Sequence, residues 1–115
     1  MAEAGGVLSD INFSFDSYGL SAQAKKTVEM HAKWIKSNDV DSVTVEGHCD
    51  ERGTTEYNMA LGANRAKAIY DVLVANGVSP KMLSTVSYGE ELPVDPAHNE
   101  MAWSKNRRVH FTVSK

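Results

Sequence analysis

The chain has 115 residues, of which 42% are apolar, and its 12 Lys and Arg against 15 Asp and Glu give a formal net charge of −3. This size and composition are typical of one soluble globular domain, and the scattered cations lack the basic patch that nucleic-acid backbones require. The apolar runs are far shorter than the roughly 18 residues that cross a bilayer. A single cysteine, Cys49, excludes an internal disulfide. We therefore expect one domain that neither spans a membrane nor binds nucleic acid.

The first elements of the chain are a strand and a helix. Met1–Gly6 consists of small and flexible residues and is predicted to be a linker or an added start, so that the domain itself covers residues 7–115. Apolar and polar residues alternate towards Phe15, which predicts a half-buried strand from Val7 to Phe15. The turn-prone residues 16–19 end this strand, and Ser21 can cap a helix that runs to about Ser37.

The rest of the chain continues the alternation of strands and helices. Period-two patterns predict strands at Val43–His48 and Val109–Val113, and a helix ends at Asn76-Gly77, which is a C-cap signal. A turn from Pro80 and the closing Gly89 bound a further predicted strand at Leu83–Tyr88. A proline-containing loop with a helical turn near Met101–Lys105 precedes the last strand. The order β-α-β-α-β-loop-β predicts an α/β (α+β) fold with a mixed four-stranded sheet and helices packed on one face.

The loop from His48 to Thr54 gathers polar and charged residues where a strand ends and a helix begins. Such loops present side chains and helix N-terminal amides to ligands, although most charged surface loops are only solvated. His48, Cys49 and Asp50 include the residue types of a nucleophile and base, but neighbours on an extended segment point in alternate directions. The same loop with Glu51 matches no standard metal-ligand spacing. We predict no enzyme, no metal site and no cofactor.

The helix after this loop carries the pattern N-x-x-L-G-x-x-R-A-x-x-I-x-x-x-L from Asn58 to Leu73. The stretch VEGHCDERGTTEYN precedes it, and TVSYGEE from Thr85 and NRRV from Asn106 follow it. Together these motifs resemble the OmpA-like peptidoglycan-binding domain, and the loop is similar to that of the family's peptidoglycan-associated lipoproteins. The resemblance implies a βαβαββ outline and a non-catalytic domain that holds the outer membrane to peptidoglycan.

The resemblance also implies a binding site for meso-diaminopimelate, the residue of the peptidoglycan stem peptide that carries an ammonium and a carboxylate on one carbon. Asp50 would bind the ammonium and Arg65 the carboxylate, since a guanidinium matches a carboxylate with two parallel hydrogen bonds. The further residues implied for this site are Phe15, Asp16, Ser17, Thr54, Asn58, Leu61 and Arg108.

The sequence leaves four of these assignments open. Asn58 and Leu61 are suited either to contact the ligand or to position the loop. Asp50 and Arg65 can instead form a structural ion pair with each other. Phe15 continues an apolar alternation and is equally suited to the core. Of Arg107 and Arg108, one is expected to bond neighbouring loops and the other to be exposed near the site.

Partners and location follow from the same resemblance. It implies the periplasmic face of the outer membrane of a Gram-negative bacterium, a lipid anchor on an N-terminal segment, and TolB of the Tol system as a protein partner. An alternative within the same fold is the C-terminal domain of an OmpA-type porin or of a flagellar stator protein. Either would use the same Asp50 and Arg65.

Overall fold

A computed structural model describes residues 8–114 of the chain. The predicted linker Met1–Gly6 and the first residue of the predicted first strand, Val7, lie outside the described residues. In chain order the elements are β1 (Ile11–Asn12), α1 (Ala22–Ser37), β2 (Ser42–His48), α2 (Thr55–Ala75), a 3-10 turn (Pro80–Met82), β3 (Leu83–Gly89), α3 (Glu100–Asn106) and β4 (Arg108–Ser114). Between residues 8 and 114, no helix combines the length and the apolar character needed to cross a bilayer.

The four strands form one mixed sheet in the order β1-β4-β2-β3. β2 and β3 run parallel and are connected through α2, whereas β4 lies between β1 and β2 and is antiparallel to both. Parallel neighbours need a crossover connection, and α2 supplies it. The predicted mixed four-stranded sheet is confirmed.

The hydrophobic core lies between one face of the sheet and the helices α1 and α2. Ser21 caps α1 by accepting a hydrogen bond from the amide of Ala24 at 3.0 Å, as the sequence predicts. The buried side chains of the core come from both helices and from the strands β1, β2 and β4, and include Val28, Ile35, Ile69, Leu73, Val43, Val45, Ile11, Val109 and Phe111.

Two glycines bring α2 into direct contact with the sheet. A Cβ atom placed on Gly47 of β2 would lie 1.7 Å from the carbonyl oxygen of Gly62 in α2. A side chain at Gly47 would therefore push the helix away from the strand. This close approach fixes the first half of α2 beside the end of β2, where the polar loop begins.

The predicted first strand is too long. The sheet pairing of β1 covers only Ile11 and Asn12, and one further bond joins the amide of Phe13 to the carbonyl of Arg107 at 3.0 Å. The chain then turns away from the sheet, because Asp16 adopts a left-handed backbone conformation with φ of 53°. The residues from Ser14 to Gly19 consequently form a loop beside α2 rather than an edge strand.

Candidate functional site

A cavity of about 350 Å³ lies where the turn after β1, the loop between β2 and α2, and the first half of α2 meet. Six of the predicted site residues line it, namely Phe15, Asp16, Asp50, Asn58, Leu61 and Arg65. The remaining lining residues are Cys49, Arg52, Gly53 and Tyr57. Ser17, Thr54 and Arg108 were also predicted, but the cavity wall does not include them.

Asp50 supplies a buried carboxylate, with only 4% of the residue exposed. Its oxygens accept hydrogen bonds from the backbone amide of Arg52 at 2.9 Å, from Arg52 Nε at 3.2 Å and from Arg52 Nη2 at 2.9 Å, and Arg107 Nη1 lies at 3.4 Å. Burial by itself raises the pKa of Asp50, but the bonds from Arg52 and Arg107 outweigh it and lower that pKa. Asp50 is therefore an anion at neutral pH.

Arg65 supplies a fully buried cation that does not pair with Asp50. Its guanidinium donates to the backbone carbonyls of Ser17 at 2.8 Å, His48 at 2.9 Å and Ser14 at 3.1 Å. Arg65 also lines the cavity, so a ligand there would lie against its positive charge. Within residues 8–114 the side chains that bond the Asp50 carboxylate are those of Arg52 and Arg107, so the alternative of an Asp50–Arg65 ion pair is wrong.

Arg52 lines the cavity and bonds Asp50, although it was not among the predicted site residues. Its guanidinium lies between two aromatic rings, 4.0 Å from the centre of the Phe15 ring and 4.2 Å from that of the Trp103 ring. Trp103 in turn donates from its indole nitrogen to Glu51 at 2.8 Å. The motif contains Arg52, but no local signal indicates that Trp103, 51 positions further on, contacts it.

Asn58 and Thr54 hold the loop between β2 and α2 in shape. The amide of Asn58, which is buried, donates to the carbonyl of Arg52 at 3.1 Å and to Glu90 Oε1 at 2.7 Å. Thr54 caps α2 by accepting from the amide of Tyr57 at 3.1 Å. Thr54 therefore supports residues that line the cavity and is not itself part of its wall.

The turn after β1 forms the opposite wall. Phe15 is 57% exposed, so its alternative assignment to the core is wrong. Asp16 accepts a hydrogen bond from the hydroxyl of Tyr57, which connects this turn to α2. Ser17 contributes through its carbonyl, which receives the bond from Arg65, and its hydroxyl accepts from the amide of Gly19 at 3.2 Å.

The two consecutive arginines where β4 begins have different partners. Arg108 donates to the carbonyls of Leu92 at 3.1 Å and Asn106 at 3.2 Å, away from the cavity. Arg107 donates to the carbonyl of Phe13 at 2.9 Å and reaches Asp50. Both are buried, so the expectation that one is exposed is wrong. The contact with the site belongs to Arg107, the C-cap residue of α3, rather than to Arg108, the first residue of β4.

Cys49 and His48 are not arranged as a nucleophile and base. Burial raises the pKa of the Cys49 thiol, and its Sγ lies 3.2 Å from the carbonyl of Asn58. Burial, aided by the charge of Arg108, lowers the pKa of His48 to about 4. The His48 ring stacks on Tyr88, with ring centres 5.3 Å apart. Activation of a cysteine requires a lowered thiol pKa, and here that pKa is shifted in the opposite direction.

Comparison with known proteins identifies the family of this chain. A family model described as the OmpA family matches residues 12–107, which is most of the chain. The chain belongs to the OmpA family. This OmpA-family domain is 52% identical over 99 residues to the peptidoglycan-associated lipoprotein of Pseudomonas aeruginosa, with 86% of this chain and 58% of that protein covered. It is 46% identical over 104 residues to that of Mesorhizobium japonicum, with 90% and 62% covered. The chain thus spans about three fifths of the length of these curated relatives.

Solved structures show the same fold. The crystal structure of the peptidoglycan-associated lipoprotein from Burkholderia pseudomallei matches with a TM-score of 0.87 and 38% identity over 91% of this chain and 89% of that one. The C-terminal domain of Helicobacter pylori MotB matches with a TM-score of 0.87 and 28% identity over 93% of this chain and 84% of that one. The predicted OmpA-like fold is confirmed. The family and these relatives are not enzymes, which also confirms the prediction of a non-catalytic domain.

Proposed function

We propose that this domain binds peptidoglycan by recognising the meso-diaminopimelate residue of the stem peptide. One observation carries the proposal: a single cavity holds a buried anion, Asp50, and a buried cation, Arg65, that are not paired with each other. A ligand with an ammonium and a carboxylate on one carbon can contact both. The curated relatives are named for association with peptidoglycan, which agrees with this assignment.

The roles of the two charges follow from their geometry. The ammonium of the ligand is expected to bind Asp50, and its carboxylate the guanidinium of Arg65, which lines the same cavity. Phe15 and Leu61 add apolar wall. A volume of about 350 Å³ is at the small end of ligand cavities and suits the end of one side chain rather than a whole glycan strand.

We further propose that this recognition holds the outer membrane of a Gram-negative bacterium to its cell wall. The relatives are lipoproteins, so a lipid-anchored segment outside this chain would attach the domain to the periplasmic face of that membrane. TolB is the proposed protein partner, through a surface that overlaps the cavity. The alternative of a porin or stator domain is less favoured, because identity to the named lipoproteins is 38 to 52% against 28% for MotB.

The experiment is co-sedimentation of the purified chain with two kinds of insoluble sacculi, one with diaminopimelate in the stem and one with lysine. We expect retention on the diaminopimelate type only, and loss of retention in Asp50→Asn. Lys67→Gln is the matched control, since Lys67 lies on an exposed face of α2 and pairs only with Asp71 among the described residues. Equal retention on both sacculi would reject diaminopimelate as the determinant, and retention on neither would reject peptidoglycan binding.

A further inference from the structure

The carboxylate of Asp50 is already fully occupied. A carboxylate offers about four lone-pair positions. Arg52 fills three of them through its backbone amide, Nε and Nη2, and Arg107 Nη1 takes up the fourth. An incoming ammonium therefore finds no free acceptor on Asp50 unless a present donor leaves.

Arg52 is the donor best placed to leave. Arg107 is buried and tied to the carbonyl of Phe13, whereas the Arg52 side chain is 32% exposed at the wall of the cavity. The two aromatic rings hold its guanidinium only through their faces. Its carboxylate contact besides Asp50 is Glu100 Oε2 at 3.8 Å, and Glu100 is exposed. Displacement would move Arg52 towards solvent without breaking any buried backbone bond.

We propose that Arg52 is the specificity-determining residue of this site: it occupies the position of the ligand ammonium and makes the site select a zwitterion over a simple ammonium. This inference rests on the proposed function and concerns the same cavity. A diaminopimelate stem displaces the guanidinium with its ammonium and brings a carboxylate, which neutralises the cations left behind. A lysine stem brings the ammonium alone.

The charges around Asp50 explain the expected selectivity. Arg52, Arg65 and Arg107 place three cations near this one buried anion. When a lysine stem displaces Arg52 from the carboxylate, the backbone still holds Arg52 in the loop and its guanidinium stays at the cavity wall, so a fourth cation enters with no new anion, and like charges at close range repel. A diaminopimelate stem adds one charge of each sign, so the net charge of the cavity is unchanged.

Arg52→Gln separates this role from a merely structural one. The variant removes a competitor for both peptides, but it also removes a cation that repels the lysine stem and attracts the extra carboxylate of diaminopimelate. We therefore expect a lysine-containing stem tripeptide to bind about tenfold more tightly, whereas the two effects offset each other for the diaminopimelate tripeptide. The ratio of the two dissociation constants then falls by about tenfold. Arg52→Lys keeps the positive charge but loses the paired hydrogen bonds from Nε and Nη2 to Asp50. It should keep most of the difference in affinity between the two peptides. Lys67→Gln removes one positive charge on the exposed face of α2 and should leave the ratio unchanged.

The same titrations give a direct signal of displacement. In a Trp34→Phe background Trp103 is the only indole, and its ring carries the Arg52 guanidinium. Binding of the diaminopimelate tripeptide to this chain should shift the Trp103 fluorescence, and the shift should be lost when Arg52→Gln is added. Calorimetry on the same samples measures affinity independently of this signal.

Each outcome decides the matter. A fall in the ratio with a fluorescence shift supports the inference. If the wild-type chain binds diaminopimelate but Arg52→Gln weakens both peptides equally, or binding leaves Trp103 unchanged, Arg52 only supports the loop and the inference is overturned while the proposed function stands. If neither peptide binds the wild type or the variant, the proposed function fails and the inference with it.

Discussion

Replacement of Arg65 by methionine should destabilise the fold as well as abolish ligand binding. Methionine keeps much of the volume but has no donor, so three backbone carbonyls lose their partner. The carbonyl of His48 is buried, and leaving it unsatisfied costs roughly 1 to 3 kcal/mol. Those of Ser14 and Ser17 are partly buried and cost about 1 kcal/mol each, because water reaches them. We expect the free energy of unfolding to fall by about 3 to 5 kcal/mol.

Urea unfolding at neutral pH, followed by circular dichroism, measures this change. Lys67→Met is the matched control on the same helix, since its side chain is 70% exposed and its one ion pair is with Asp71. Exposed pairs of this kind contribute less than about 1 kcal/mol. If Arg65→Met and Lys67→Met differed by less than 1 kcal/mol, Arg65 would not hold the two loops together, and the described geometry of the cavity would be refuted.

Further predictions concern packing, pH and the charged groups of the loop. Gly47→Ala should cost about 3 kcal/mol in urea unfolding because its Cβ would meet the backbone of α2, whereas Gly19→Ala, where the nearest atom is 3.7 Å away, should change stability by less than about 0.5 kcal/mol; equal losses would reject the contact. The pKa of His48 is lowered to about 4 from 6.5, mainly by burial, so the unfolded chain binds the extra proton between these values. Stability should then fall by up to about 3 kcal/mol from pH 6.5 to pH 4, and His48→Gln should flatten that decline; an unchanged slope would contradict a buried neutral imidazole. Asp50→Asn should weaken binding of a diaminopimelate tripeptide by about 2 to 5 kcal/mol in calorimetry and leave a cooperative unfolding transition, whereas unaltered affinity would exclude the carboxylate as a ligand group. Cys49 should react with a thiol reagent much more slowly in the native chain than in urea, because it is buried and its pKa is raised. Rapid labelling that depends on His48 would instead indicate an activated cysteine nucleophile.

The strands and helices could be predicted wherever a periodic pattern continues into regular pairing. The patterns place β2, β3 and β4 within one residue of their observed ends, because β2 and β4 alternate apolar and polar residues and β3 lies between the turn at Pro80 and Gly89. The strand predicted up to Phe15 is too long, because alternation of apolar and polar residues does not show where the chain leaves the sheet. The alternation continues through residues that leave the sheet after Phe13, and the positive φ of Asp16 gives no signal in a period-two pattern.

The site could be predicted only as far as its motifs extend. Residues close in sequence to the motif, such as Asp50, Asn58, Leu61 and Arg65, line one cavity as expected. Long-range contacts could not be predicted, because they depend on how the last part of the chain folds back. Trp103 against Arg52, and Arg107 rather than Arg108 against Asp50, are contacts of this kind.

The central claim is that the cavity between the β1 turn and the loop before α2 binds the diaminopimelate end of a stem peptide. Titration of the ¹⁵N-labelled chain with a diaminopimelate tripeptide, followed by amide chemical shifts, tests it most directly, with the lysine tripeptide as comparison. We predict that the largest shifts fall on residues 15–16, 50–53 and 58–61, and that the lysine peptide produces much smaller ones. Shifts confined to residues 92–101, or equal shifts with both peptides, would contradict the account.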